Sequence, residues 1–545
     1  MRKLVTTVAA VGLLGAGFAS ASGAQATPQT KPTGSHTSTP AYTPPPIPWG
    51  TCVRASLKAA GAQCGLLTVP LDYRKPSGMK IKIMVSRIKH KTSDAAAQGV
   101  MLANPGGPGA SGLGLARLGG AVPNGGGDPY DWIGFDPRGV GESVPSLSCD
   151  PDYFAPGRPP YVPETREIMR AWREKARQYA RDCAAAPGAI LLDHTKTTDW
   201  AQDMDSIRKA LGADKINYYG FSYGTYLGQV YATMFPERVR RFVFDGVVNP
   251  KDVWYEANLN QDVQFDRNIG TFFSWVAEHD AEYGLGTDGR ALLRTYYRIL
   301  NRLAEQPEGT FGAAEWNDIF TGAAYYVYDW DGTAHMFAAA VNGDFGPAKD
   351  YYGDPTGPGS DNTFANYNAV QCSDAQWPTK WRTWERDAWR IHAKHPFLAW
   401  NNTWYNAPCL DWDATPGKPV NVKGSKVGSI LLIAETNDAA TPFPGALEVR
   451  RRFPKSVLIE GVGGTTHSGS LSGVSCTDDR IANYLLTGAL DPRKAGNRSD
   501  VQCEPVPPPD ATPASATSAT ARRSSAAQPG MSADLRKELQ AANSR

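Results

Sequence analysis

Gly220-Phe221-Ser222-Tyr223-Gly224 is the single Gly-x-Ser-x-Gly in the chain, and it stands between the strand-like run Ile216-Asn217-Tyr218-Tyr219 and a helix-compatible Thr225–Tyr231. Strand, tight turn and helix in that order can form a nucleophile elbow, in which the flanking glycines tolerate close backbone approach and the serine hydroxyl projects at the helix N-terminus. A serine hydroxyl is a poor nucleophile until an imidazole takes its proton and an acid orients that imidazole; on a sheet of this kind the chain order is Ser, acid, His. Downstream, the apolar run Ile430–Ala434 leads into Glu435-Thr436-Asn437-Asp438, and Val457-Leu458-Ile459 leads into a glycine-rich loop ending at His467-Ser468. His467 is the only histidine in the last 150 residues. Singly, each would read as a surface aspartate and a loop histidine. Together, in the required order and both just past strands, they make Ser222, His467 and Asp438 the expected nucleophile, base and acid, with Glu435 as the fallback acid.

Acyl transfer also needs donors for the oxygen that becomes negative in the tetrahedral intermediate. Asn104-Pro105-Gly106-Gly107-Pro108-Gly109-Ala110-Ser111-Gly112 directly follows the strand-like Gly99–Ala103, so the backbone N–H groups of Gly107 and Tyr223 are the expected oxyanion hole. A phosphate-cradling reading of the same glycines lacks a Gly-Lys-Ser/Thr ending, and Pro108 interrupts the spacing that a dinucleotide fingerprint needs.

These residues have to be positioned by a framework, and the chain alternates β-type runs with helix-period segments, the pattern of a mostly parallel α/β sheet flanked by helices. The expected strands are Ile81–Val85, Gly99–Ala103, Asp131–Asp136, Ile216–Tyr219, Arg241–Asp245, Ile430–Ala434 and Ser456–Ile459. Trp200, Met204, Ile207 and Leu211 recur at helical spacing, which predicts a helix over Asp199–Leu211 capped by Thr198 or Asp199. Strand signals thin out from 249 to 424, where Trp, Tyr and charged helical segments dominate, so this stretch reads as a mainly helical cap inserted between two parts of the core, 49–248 and 425–503.

Composition bounds the setting. The 545 residues carry 56 Lys+Arg against 54 Asp+Glu, and without Arg2 and Lys3 the balance is zero, which argues against a nucleic-acid or anionic-membrane partner. Arg2-Lys3, the apolar run Leu4–Phe18 and the small residues up to Ala26 read as a signal peptide over 1–26, with cleavage before Thr27 favoured over Ser22. No later run is long enough to span a bilayer, so a secreted protein without stable membrane insertion is expected. In that compartment the eight cysteines read as sequence-adjacent disulfides: Cys52 with Cys64, Cys149 with Cys183, Cys372 with Cys409 and Cys476 with Cys503. Residues 27–48 read as an extended Thr/Pro-rich leader or pro-segment that does not pack, and 504–545 as a disordered tail with a short helix over Ser532–Ala542. No metal or cofactor is expected, since His392-x-x-His395 lacks the glutamate and spacing of a helical zinc site.

The segments Asn104–Gly112, Asp131–Ser143 (Asp-Trp-Ile-Gly-Phe-Asp-Pro-Arg-Gly-Val-Gly-Glu-Ser), Gly220–Gly228 and Asp438–Pro442 resemble those of secreted bacterial tripeptidyl aminopeptidases, and the similarity runs from about Ile47 to Cys503. That resemblance implies an α/β-hydrolase fold with a helical cap, peptide substrates, release of tripeptides from free N-termini, and a C-terminal core segment contributing Asp438 and His467. Pro105 replaces the histidine that opens the corresponding glycine motif of prolyl iminopeptidases, and Ser468 follows His467 where family members often carry glycine. An exopeptidase of this type needs carboxylates for the substrate ammonium, for which Glu256, Asp262 and Asp374 in the cap are candidates. The alternatives are a secreted esterase or lipase on the same triad, and a secreted binding protein that retains the fold without catalysis.

Overall fold

A strand covered on both faces needs apolar residues at successive positions, and several short runs of that kind lie side by side here. The computed structural model describes residues 42–512 and 530–543, and its ten strands form one sheet in the order β1-β2-β3-β5-β4-β6-β7-β8-β9-β10. They are β1 (Gly50–Thr51), β2 (Gln63–Pro70), β3 (Lys80–Ile88), β4 (Val100–Asn104), β5 (Asp131–Asp136), β6 (Ile216–Phe221), β7 (Val239–Asp245), β8 (Ile430–Glu435), β9 (Ser456–Gly461) and β10 (Val501–Cys503). From β5 to β10 neighbouring strands are parallel, while β1, β2 and β3 pair antiparallel at one edge. Every residue of β4, β6 and β8 is buried. Alternate side chains feed two cores on opposite faces: Tyr218 joins Trp200, Met204 and Leu432 on one, and Tyr219 and Phe221 join Trp132 and Ile433 on the other.

All seven expected strands are present: Asp131–Asp136 has the expected bounds, Gly99–Ala103 is shifted by one residue to Val100–Asn104, and the others are longer than expected. β1, β2 and β10 were not expected, because two are three residues or shorter and β2 carries Gly65 and ends in Pro70. Gly65 is required there: a Cβ would lie 2.6 Å from Ile47 Cγ2 and 2.8 Å from the Pro48 carbonyl oxygen. Ile47 is itself buried in the core and the Tyr42 hydroxyl donates to the Thr68 carbonyl at 2.9 Å, so the end of the Thr/Pro-rich leader packs on β2 rather than standing clear of the fold.

The helix expected at Asp199–Leu211 spans Thr197–Ala210. Neither Thr198 nor Asp199 caps it. Asp199 accepts the Lys196 N–H at 3.1 Å from inside the first turn, and the Thr197 N–H is satisfied by Asp374 at 2.7 Å, a carboxylate delivered from far along the chain. Between β7 and β8 the chain builds helices over Tyr255–Glu278, Gly289–Glu305, Ala313–Tyr325, Trp330–Val341, Asn362–Asp374, Trp381–His392 and Ala399–Asn406. Leu292, Tyr296, Ile299 and Leu303 recur on one face of the second of these, and Asp288 caps it by accepting from Arg290 N and Ala291 N at 2.9 and 3.1 Å. That face closes on Phe272, Phe273, Trp316 and Phe320, so the insertion has a core of its own.

Four disulfides join Cys52 to Cys64, Cys149 to Cys183, Cys372 to Cys409 and Cys476 to Cys503. No helix among the described residues is long and apolar enough to cross a membrane. The signal segment 1–26, the leader up to 41 and residues 513–529 lie outside the described residues.

The remainder of the tail departs from the expected disorder. Val506 is buried, and the helix Ala533–Asn543 lays Leu535 and Leu539, with Met531 just before it, into the second core, while Arg117 pairs with Asp534 at 3.0 Å and with Glu538 at 2.5 Å. Three apolar residues at four-residue spacing among Ala, Ser and Arg are enough to dock this helix. Replacing Leu535 and Leu539 with alanine removes most of that contact, at about 2–5 kcal/mol per fully buried leucine. Limited trypsin digestion should then cut after Arg536 and Lys537 at least about tenfold faster than in the wild type, because cleavage follows the population of the detached helix.

Candidate active site

The C-terminal ends of β4, β6, β7 and β8 converge on one edge of the sheet, around the point where chain order reverses between β5, β4 and β6; ligands bind such sheets there. Ser222 follows β6 and takes φ 53° and ψ −126°, a left-handed conformation that costs a non-glycine residue on the order of 1–3 kcal/mol. The neighbouring glycines make the turn possible. A Cβ on Gly220 would sit 2.6 Å from the Gly224 carbonyl oxygen, and one on Gly224 would sit 2.7 Å from the Asn104 carbonyl oxygen, so the serine turn is pressed against the end of β4. The Ser222 N–H donates to the Asp245 carbonyl at 2.9 Å, which ties the turn to β7 as well.

His467 is fully buried, and its Nδ1 lies 2.8 Å from Asp438 Oδ2 and 3.0 Å from Oδ1. The loop after β8 holds that carboxylate on three sides: Ala440 N and Thr441 N each donate to Oδ1 at 2.9 Å, and the Thr441 hydroxyl donates to Oδ2 at 2.7 Å. With Nδ1 committed to Asp438, Nε2 is the nitrogen left to exchange a proton, and it takes no hydrogen bond from the described residues. The ring packs on Gly246, where a Cβ would fall 2.9 Å from His467 Cε1. One peptide therefore serves both groups: Asp245 receives the Ser222 amide, and the next residue is the floor under the imidazole.

Glu435, the fallback acid, has a different place. Its carboxylate accepts from Thr466 N at 2.6 Å and Val506 N at 2.7 Å, and Gly464 has no room for a Cβ because Glu435 Oε2 would be 2.3 Å away. It fixes the backbone just before His467 instead of touching the ring. Burial, with the like charges of Asp438 and Asp245 nearby, pushes its carboxyl up to about 8, and burial pushes Asp245, which accepts the Ser470 N–H at 2.8 Å, up to about 6. Asp245, Thr441 and the bridging role of Glu435 had no sequence signal beyond their places at strand ends; Asp245 closes a recognisable strand before a glycine.

On the oxyanion side, Tyr223 is the first helical residue, so its N–H has no acceptor within the helix, and Gly107 lines the same cavity as Ser222. The Asp-Pro-Arg-Gly segment positions that loop. Buried Asp136 accepts from Ser111 Oγ at 2.6 Å and Gly112 N at 3.1 Å, and buried Arg138 grips Asp203 through two hydrogen bonds of 2.7 and 2.8 Å.

A cavity of about 560 Å³ opens over Ser222, Tyr223 and Gly107 and is roofed by the helix Tyr255–Glu278 through Asn258, Gln261 and Gln264. The insertion also reaches the loop of His467 directly, since the Tyr325 carbonyl accepts the His467 N–H at 2.9 Å. Of the three cap carboxylates considered for the substrate amine, none lines this cavity. Asp374 is bound to Thr197 and the Trp254 indole, Asp262 is buried against Asn402, and Glu256 points to solvent.

Residues 99–387 match the α/β hydrolase fold family, and 395–503 match the family described as TAP-like protein. Tripeptidyl aminopeptidase of Streptomyces coelicolor is 41% identical over 473 residues, 84% of this chain and 86% of that protein. This chain belongs to the tripeptidyl aminopeptidase-like α/β hydrolases. It is an enzyme, a serine hydrolase of a peptidase family. More distant relatives are serine protease Hip1 of Mycobacterium tuberculosis, 28% identical over 83% of this chain and 90% of its own, and carboxylesterase B of the same species, 29% identical over 82% of this chain and 88% of its own.

Two outcomes follow from this geometry. Asp438→Asn should lower kcat on the order of 10⁴-fold while the fold persists, because the imidazole then takes the wrong tautomer; steady-state kinetics beside circular dichroism measures both. Glu435 keeps its proton in the fold up to about pH 8 but loses it near 4.5 when unfolded, so its contribution to stability is full below 4.5 and is lost as pH rises through 8. Glu435→Gln should flatten the fall of the thermal midpoint between pH 5 and 8.

Proposed function

We propose that this enzyme acts outside the cell as a serine exopeptidase that removes tripeptides from the free N-termini of peptides through an acyl-enzyme. The observation that carries the mechanism is the buried His467–Asp438 pair packed against the same β7 terminus that receives the Ser222 amide. In this reading Ser222 Oγ attacks the scissile carbonyl and its proton passes to His467 Nε2. The oxygen that becomes negative is held by the amides of Gly107 and Tyr223. When the C–N bond breaks, the proton passes from Nε2 to the departing amine, and water, activated by the same nitrogen, hydrolyses the ester. Asp438, 2.8 Å from Nδ1, holds the imidazole in the productive tautomer. The aminopeptidase relative at 41% identity supports the choice of a free N-terminus, and four disulfides with no membrane-spanning helix among the described residues suit an extracellular setting.

Esterase action is the second reading, favoured by the relative named carboxylesterase B. The two separate by mass spectrometry of a ten-residue peptide, its N-acetylated twin and a short-chain ester, each incubated with wild type and Ser222→Ala. Successive losses of three residues from the free peptide alone, absent in the variant, are expected. Ester cleavage with both peptides intact would replace the peptidase reading by the esterase one.

A further inference from the structure

An enzyme that cuts only from a free N-terminus has to recognise an ammonium group, and in a partly desolvated cavity that recognition needs a carboxylate. Among the described residues lining the cavity over Ser222 there are two charged side chains, Asp252 and Arg267. They lie at opposite ends of its roof. Asp252 precedes the helix Tyr255–Glu278, and Arg267 comes twelve residues after its start, about 18 Å along the axis. An ammonium group is attracted to the first end and repelled from the second.

Asp252 is also built to receive a cation. Asn249 Nδ2 and Asn260 Nδ2, both in the cavity wall, donate to the same oxygen, Oδ2, at 2.7 and 3.2 Å, which fixes the carboxylate and leaves Oδ1 without a hydrogen bond from a described residue. No cation is paired with it among the described residues: neighbouring Lys251 reaches Glu448 instead, at 3.5 Å. Burial accordingly raises the Asp252 pKa. The wall behind Asn249 is closed, since a Cβ on Gly445 would fall 3.0 Å from Asn249 Cβ, Asn249 N and the Val247 carbonyl oxygen alike. A half-buried, unpaired carboxylate held by two amides, in the same cavity as the nucleophile and beside a packed wall, fits the terminus of a chain better than its middle.

We propose that Asp252 binds the ammonium group of the substrate's N-terminal residue and so restricts the enzyme to free N-termini. This rests on the exopeptidase reading above and names the residue that enforces it. The guanidinium of Arg267, at the far end of the roof, keeps the ammonium from seating in the opposite direction.

The experiment compares kcat/KM for a tripeptidyl 7-amino-4-methylcoumarin amide with a free N-terminus and for its N-acetylated counterpart, in wild type, Asp252→Asn and Asp252→Glu. Both substrates are read on one preparation of each protein, so their ratio is independent of the fraction folded. The wild type should favour the free amine, Asp252→Asn should lower that preference at least about tenfold, mainly through KM, and Asp252→Glu should recover part of it. A preference that survives intact in Asp252→Asn overturns the assignment of Asp252 while leaving the exopeptidase reading in place. Equal cleavage of the two substrates by the wild type overturns the exopeptidase reading, and the anchor with it.

Discussion

Ser222 occupies a backbone conformation that its own side chain disfavours, and it stays there because several separate contacts leave the turn nowhere else to go. Gly220 and Gly224 are pinched by backbone atoms on both sides, the Ser222 amide is bonded to β7, and Thr225 returns its hydroxyl to the Ser222 carbonyl at 2.7 Å. A strained turn of this sort persists only where the surroundings over-determine it. Here the surroundings are the ends of β4 and β7, which also carry the glycine loop and the floor under His467. The register of the parallel sheet is thus the quantity on which catalytic geometry depends, and the two cores that clamp β6 from either face hold that register.

The helical insertion is part of this machinery rather than a cover laid over it. Its Asp374 caps the Thr197–Ala210 helix, whose Thr197 hydroxyl is 2.7 Å from the Tyr223 hydroxyl. Its Tyr325 carbonyl takes the His467 amide, and Asn268 bonds the Asn437 carbonyl at 2.9 Å, one residue before Asp438. Cap and core therefore share the hydrogen bonds that set Asp438, His467 and the helix behind Tyr223. Movement of the cap as a free lid would have to break these bonds first.

The parts of this arrangement that show in sequence are those with a local cause. Buried parallel strands leave runs of apolar residues, a tight turn leaves glycines, and chain order restricts which acid and which imidazole follow the serine. Ser222, Asp438 and His467 stand out on those grounds, with Glu435 behind Asp438 as the fallback acid, and the fold turns Glu435 toward Thr466 and Val506. What does not show has causes distant in the chain. Asp374 reads as one surface carboxylate among many, although it caps a helix 177 residues earlier. Asp252, directly after a Pro-Lys pair in an irregular connection, has no pattern at all, and only the cavity distinguishes it from Glu256 four residues on. The C-terminal helix itself is legible, expected over Ser532–Ala542 and present over Ala533–Asn543, but its docking was hidden for a third reason: its three apolar anchors are too few to lift a polar, Ala- and Ser-rich stretch above the composition of a disordered tail.

Chain order has one more effect, on the timing of assembly. Ser222 and the glycine loop with Gly107 follow strands made early, whereas Asp438 and His467 lie beyond the entire insertion, on the loops after β8 and β9. The backbone before the base is in turn held by Glu435 together with Val506, a residue past the last strand. A growing chain consequently carries Ser222 for 245 residues of synthesis, 467 − 222, before His467 is added, and the Val506 contact to Glu435 forms only after that. Vectorial synthesis thereby places the last of these contacts on the backbone before His467 after every strand of the sheet has been made.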